Sequence, residues 1–213
     1  MAHPWDCPRF EYEDHPRYRN YLAERARAIV TSLRRRRVNG AALAADSRDP
    51  HAFLFSGLTP LGCDYYAGHY RGENFRCLRH YRVKIDNDPA VGLAPDLVLR
   101  TMAAIAFHVR RAIWALEGWH TDPTIAPPHR LVATVQLACQ VFERILTIHP
   151  YANGNGHAAR FVIWAILGTF GYWPRSWTID PRPTHANYTG LIVAHRNGDP
   201  LPLVTAVLED LIT

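Results

Sequence analysis

A histidine, a glycine-bracketed turn and an arginine fall within twelve residues: His149-Pro150-Tyr151-Ala152-Asn153-Gly154-Asn155-Gly156-His157-Ala158-Ala159-Arg160. Gly154, Asn155 and Gly156 can adopt backbone angles closed to most residues. Successive amides in such a turn can point into one concavity and hold an anion. An apolar segment follows, so a helix starting near Gly156 or His157 would aim unbonded N–H groups and a positive dipole end at the same place. Arg160 lies three residues after His157 on the same helical face, and together they would bracket a phosphate. His149 stands across the loop. Its ordinary pKa lies near neutrality, so it could take a proton from a nucleophile attacking that phosphate. Taken singly, each residue has a plainer role as cap, turn or salt-bridge partner. Their joint occurrence in this order favours chemistry.

The elements that must position these residues can be read from periodicity. Leu131, Val135, Ala138, Phe142 and Ile145 recur at alternating spacings of four and three, which makes one apolar stripe on a helix over residues 127–148. Gln136, Gln140, Glu143 and Thr147 fall on another face. His149 is the next position on the stripe, so its imidazole emerges at the end of a buried face. Pro150 disfavours α geometry at His149 and should stop the helix there. Further helices are expected over 18–37, from Asp49-Pro50 through Phe53, Leu54 and Phe55, and over 97–118, 157–168, 184–196 and 202–212. Residues 1–16 read as an irregular arm. Phe75, Cys77, Val83 and Ile85 alternate in places with polar residues, which fits a short strand or hairpin over 75–85. The expected fold is mainly α with one small β element.

Composition bounds the rest. The chain has 213 residues, 48% of them hydrophobic, enough for a core. The longest apolar run, Phe161 to Phe170, is too short to span a membrane. Met1 to Asp6 shows no basic region followed by an apolar one, so no signal peptide is expected. Cys7, Cys63, Cys77 and Cys139 form no CxxC pair, and their scatter is read as free thiols in a reducing, cytoplasmic setting, with secretion as an effector left open. Net charge is +5, and Lys84 is the only lysine among 24 basic residues. Arg34 to Arg37 could touch nucleic acid, but reads better as a solvated helix end stopped by Asn39-Gly40. Neither a membrane nor a nucleic acid is expected as partner.

The loop resembles the signature of Fic-domain proteins, His-Pro-Phe-x-(Asp/Glu)-Gly-Asn-Gly-Arg-x-x-Arg, at His149, Pro150, Gly154, Asn155, Gly156 and Arg160, with Tyr151 in place of Phe. Gly68-His69-Tyr70-Arg71-Gly72 and the strand after it look like the family's β-hairpin flap. His51 to Phe55 looks like its upstream helix, and Tyr188 to Leu211 like its last helices. The resemblance implies a Fic-type helical bundle with a β-hairpin flap over residues 50–213, preceded by an arm and helix over 1–49. It implies a transferase that moves AMP from ATP, or another phosphate-bearing group from a nucleotide donor, to a Ser, Thr or Tyr hydroxyl. The target would be another protein or the chain itself, with room for a homo-oligomer. His149 would be the catalytic base. Gly154, Asn155 and Gly156 would form the anion hole, with His157 and Arg160 as phosphate ligands. Pro150 and Tyr151 would support the loop, and Arg71, Phe75 and Val83 would dock the target by strand pairing.

Two positions depart from that pattern. Asn153 replaces the carboxylate that binds magnesium in the family, and a neutral amide is a poorer ligand for that ion. His157 replaces the first arginine. An altered donor or a catalytically silent binding protein is the alternative reading. Thr205 to Asp210 approaches the family's inhibitory Ser/Thr-x-x-x-Glu-Gly/Asn helix but ends on the wrong residue, so Glu209 is read as an exposed helix-end acid.

Overall fold

In the computed structural model, which describes residues 7–83 and 88–212, the chain is mainly helical. The helices are α1 (Tyr18–Arg34), α2 (Gly40–Ala45), α3 (Arg48–Phe55), α4 (Pro95–Thr121), α5 (Pro127–Ile148), α6 (Asn155–Thr169), α7 (Tyr188–Arg196) and α8 (Leu201–Ile212). Two prolines open α5, where a missing N–H costs nothing. Its stripe residues Val135, Ala138, Phe142 and Ile145 are all buried. The next helix, α6, is apolar on every side, and each residue from His157 to Leu167 is buried. A helix of that kind must run through the core. Around the α5–α6 pair, α4, α7 and α8 cover α5 while α1, α2 and α3 cover α6. The α5 helix is also long and apolar enough to cross a membrane by length and composition, but most of it is buried inside the bundle.

Several expectations are corrected. No strand occurs among the described residues, so the β-hairpin flap is not formed there. Residues 71–80 make consecutive turns and bends instead, closed by Gly72 N to Leu78 O at 2.8 Å and Arg79 N to Phe75 O at 3.0 Å, and residues 81–83 follow as irregular chain. The reason is visible at Cys77 and Leu78, which are both buried. A strand would send neighbouring side chains to opposite faces, whereas a turn can bury both. Residues 84 and 85 of the expected strand lie outside the described residues.

The cysteine reading is also corrected. Cys7 and Cys77 form a disulfide across 70 residues, and only Cys63 and Cys139 are free thiols. Finally, Asn39 does not stop α1. Its side chain accepts from Ala42 N at 3.0 Å and so caps the start of α2, a helix the periodicity did not show. The chain leaves α1 through Arg36 at φ 51°. Arg34 lies over the rings of Trp164 and Trp173, at 5.3 and 5.9 Å, which ties the end of α1 to the α6 side of the bundle.

Candidate active site

His149 caps α5 in the left-handed region, at φ 49° and ψ 65°. That conformation costs a non-glycine residue about 1 kcal/mol or more and needs support from its surroundings. Arg71 supplies it. Its fully buried guanidinium donates from Nε to the His149 carbonyl at 2.6 Å, from Nη2 to Ile148 and Leu93 carbonyls at 2.9 and 3.0 Å, and from Nη1 to the Tyr81 carbonyl at 3.1 Å. Its own amide donates to the Pro150 carbonyl at 2.8 Å. Three consecutive carbonyls at the α5 terminus are thus fixed by one residue. With four of its five guanidinium N–H groups spent on these carbonyls and the side chain fully buried, Arg71 is not presented to a docking peptide, and it acts as a positioning residue for His149. Burial opposes its charge and lowers the pKa to about 10, still high enough to keep it protonated at neutral pH.

The imidazole is fixed in one tautomer. His149 Nδ1 hydrogen-bonds the Leu146 carbonyl, and a carbonyl only accepts, so Nδ1 carries the proton and Nε2 keeps its lone pair. Burial pushes the pKa down to about 4, helped by the nearby Arg71 and Arg196 charges and opposed by the Leu146 carbonyl. The ring is therefore neutral at neutral pH.

The loop is stiffened by its own side chains. Asn155 accepts from Tyr151 N at 2.8 Å through Oδ1 and donates from Nδ2 to the Tyr151 carbonyl at 3.0 Å. Its side chain braces the turn, and only its backbone remains available to an anion. The Tyr151 ring is buried, stacks on His51 at 3.7 Å, and bonds Ser47 Oγ at 2.8 Å. His51 accepts from Gly68 N through Nδ1, so its Nε2–H donates to the Asn153 carbonyl at 2.9 Å. Gly154, at φ 75°, leaves no room for a side chain: a Cβ there would sit 2.3 Å from Phe55. From this residue α6 begins. The first intrahelical bond runs from Ala158 N to the Gly154 carbonyl, which leaves the amides of Asn155, Gly156 and His157 as the helix-terminal donors. Ala158 is thus not among them.

Arg160 and His157 are both buried. Arg160 donates from Nε to the Ile179 carbonyl at 2.8 Å, and its Nη1 lies 3.1 Å from where a Gly156 side chain would begin. The guanidinium therefore folds back over the first turn of α6. His157 donates from Nε2 to Asp180 at 3.0 Å and is edged by the Tyr12 and Phe55 rings. Burial lowers its pKa while Asp180 pulls the other way. His157 is a wall residue bound to a carboxylate, and it does not reproduce the first arginine of the motif.

The arm completes the site. Phe10 is buried against Phe55, Tyr66 and Tyr12. Its carbonyl accepts from Asn153 Nδ2 at 2.6 Å, while Asn153 Oδ1 accepts from Gly154 N at 2.7 Å. Cys7–Cys77 and a Tyr66 hydroxyl bond to the Pro8 carbonyl hold the strap in place. Between arm, loop and α6 lies a cleft of about 1560 Å³ lined by His149, residues 152–157, Arg160 and Asp180. Val83 also borders this cleft, while Phe75 lies outside it, stacked on Tyr65 at 4.9 Å. The structure thus gathers His149, Gly154, Asn155, Gly156, His157 and Arg160 around one space. Sequence reasoning missed Arg71 as a clamp, and missed Asp180, Phe10 and His51. Only His51 carried a signal, as a lone histidine within a short apolar helix.

A family model described as the Fic/DOC family matches residues 45–167, more than half of the chain. No curated protein and no solved structure matches it. The matched stretch runs from α2 to within α6 and contains His149, the whole loop and Arg160. The chain belongs to the Fic/DOC family.

Proposed function

We propose that the cleft transfers a phosphate-bearing group, of the AMP type, from a nucleotide-like donor to a Ser, Thr or Tyr hydroxyl of a protein. The observation that carries this reading is the state of His149, a neutral imidazole that keeps its Nε2 lone pair and lines the same cleft as Asn155, Gly156 and His157 of α6. In the step proposed, the hydroxyl oxygen attacks phosphorus and its proton passes to His149 Nε2. The bond from phosphorus to the leaving phosphate breaks, and that oxygen departs with the electron pair. The α6 amides and Arg160 stabilise charge on the phosphoryl oxygens. An anion seated there would raise the His149 pKa from its low resting value.

A second reading, a silent nucleotide- or partner-binding protein, draws on His157, whose Nε2 is already taken by Asp180. Intact-mass analysis of the full chain incubated with a panel of nucleotides and candidate proteins separates the two. The transfer reading expects mass added by the native chain and a loss of about 10²–10⁴ in rate in His149→Ala. The melting temperature of that variant should stay close to the parent's. Transfer within a few-fold of the parent would remove His149 from the mechanism, and no transfer with any donor would favour the silent protein.

A further inference from the structure

We infer that the cleft holds its polyphosphate ligand without a divalent cation, and that arginine side chains supply the neutralising charge. The inference rests on the transfer reading above and narrows its donor chemistry. It begins at Asn153, the position from which the family resemblance would have magnesium held. The Asn153 amide is fully committed. Its Oδ1 accepts from Gly154 N at 2.7 Å, and the side turned to the arm is an NH2 group donating to the Phe10 carbonyl at 2.6 Å. Magnesium wants hard, anionic oxygens in near-ideal octahedral geometry. A carboxylate here would oppose the Phe10 carbonyl with a second acceptor, so asparagine is the residue that lets arm and loop close on each other.

The other acids offer no replacement. Glu11 and Asp180 are the carboxylates among the described residues that line the cleft. Asp180 holds His157 at 3.0 Å, and Glu11 lies 3.5 Å from the Asn153 NH2. Among the described residues no three His, Cys, Asp or Glu side chains stand close enough to hold a metal ion. The donor set therefore does not fit the ion.

Positive charge surrounds the same space. Arg9 comes from the arm, Arg19 from α1, Arg82 from the segment before residue 84, Arg160 from α6 and Arg182 from the stretch before α7. Guanidinium groups are permanently charged and match phosphate oxygens two at a time. Arg160 forms a buried base beneath the α6 amides, while Arg9, Arg19, Arg82 and Arg182 are exposed and can turn inward. Their converging charge meets the requirement that the ion meets elsewhere in the family.

Calorimetric titration of ADP and of inorganic pyrophosphate into the full chain, once in excess EDTA and once in excess magnesium, tests this. Magnesium lowers the ligand's negative charge, so both probes should bind at least as tightly in EDTA. Arg19→Gln with Arg82→Gln should weaken binding by about tenfold, as expected for two exposed charge contacts, with an unchanged melt. Binding that appears only with magnesium would overturn the inference and leave the transfer reading standing. Binding in neither condition would remove both. Equal affinity in the arginine variant would overturn the role given to the arginines.

Discussion

His149 owes its neutral, single-tautomer state to two local facts, a bond that places the proton on Nδ1 and a burial that keeps the ring uncharged. The apolar stripe of α5 and Pro150 made its place legible from spacing alone, because both causes lie within a few residues. His157 was legible only as a neighbour of Arg160. Its partner Asp180 comes 23 residues later and no local pattern connects them. A base with a pKa near 4 is already deprotonated in mildly acidic solution. The ascending limb of kcat/KM against pH, which reports the free enzyme, should therefore lie below pH 6. A limb at the ordinary histidine value near 6.5 would mean that the ring is solvated before substrate binds. Asn153→Asp should detach Phe10 and lower the melting temperature, because it replaces a donor by an acceptor at 2.6 Å from a carbonyl. Limited proteolysis would then find the arm cut sooner, and an unchanged digestion pattern would mean that Asn153 does not hold it.

At the scale of elements, helices with one strong period were readable and short or irregular segments were not. The α5 bounds follow from prolines at both ends. The six-residue α2 depends on the Asn39 cap and on α6 beside it. The 75–83 segment carried an approximate alternation, yet its course is set by Arg71 and by the Cys7–Cys77 link, neither of which is a periodic signal. The flap expectation failed there, although it had picked out Arg71, a residue that matters for another reason. Arg71→Leu removes the donors of four buried or partly buried carbonyls, each costing up to roughly 1–3 kcal/mol where water cannot replace the bond. The expected result is a chain that melts many degrees lower or does not fold. Arg71→Lys can keep part of the bonding, and should retain more stability while releasing His149 from its left-handed cap. Activity should then fall more than stability does, and a parallel loss of both would reduce Arg71 to a purely structural residue. Gly154→Ala should also destabilise the loop, since its Cβ would meet Phe55 at 2.3 Å.

For the whole molecule, the histidines whose protonation is opposed by burial, His51, His149 and His157 at the site and the half-buried His120 and His195 away from it, set how the fold responds to acid. Burial holds His51 down at about 3 and His149 at about 4, and it also lowers His157, His120 and His195. In the unfolded chain each would titrate near 6.5. Below that pH the unfolded state binds protons that the folded state refuses, so unfolding gains free energy as pH falls. The contribution is fully present above the unfolded value and is withdrawn on descent toward the folded ones. His51 and His149 together would withdraw on the order of 5 kcal/mol by pH 4, a large share of the 5–15 kcal/mol typical of a domain. Asp46, held below the usual carboxylate range chiefly by Arg48, acts with the same sign in a lower window beneath pH 4. The melting temperature should therefore be level near pH 7 and drop steeply between pH 6 and pH 4, ahead of the carboxylates. His51→Gln can retain a bond to Gly68 or Asn153 but cannot titrate. Its curve should start lower at pH 7 and fall less steeply. A parent chain whose melting temperature stays level down to pH 4.5 would show that these rings protonate without unfolding, and that the loop and its α3 support open to water while the bundle stays intact.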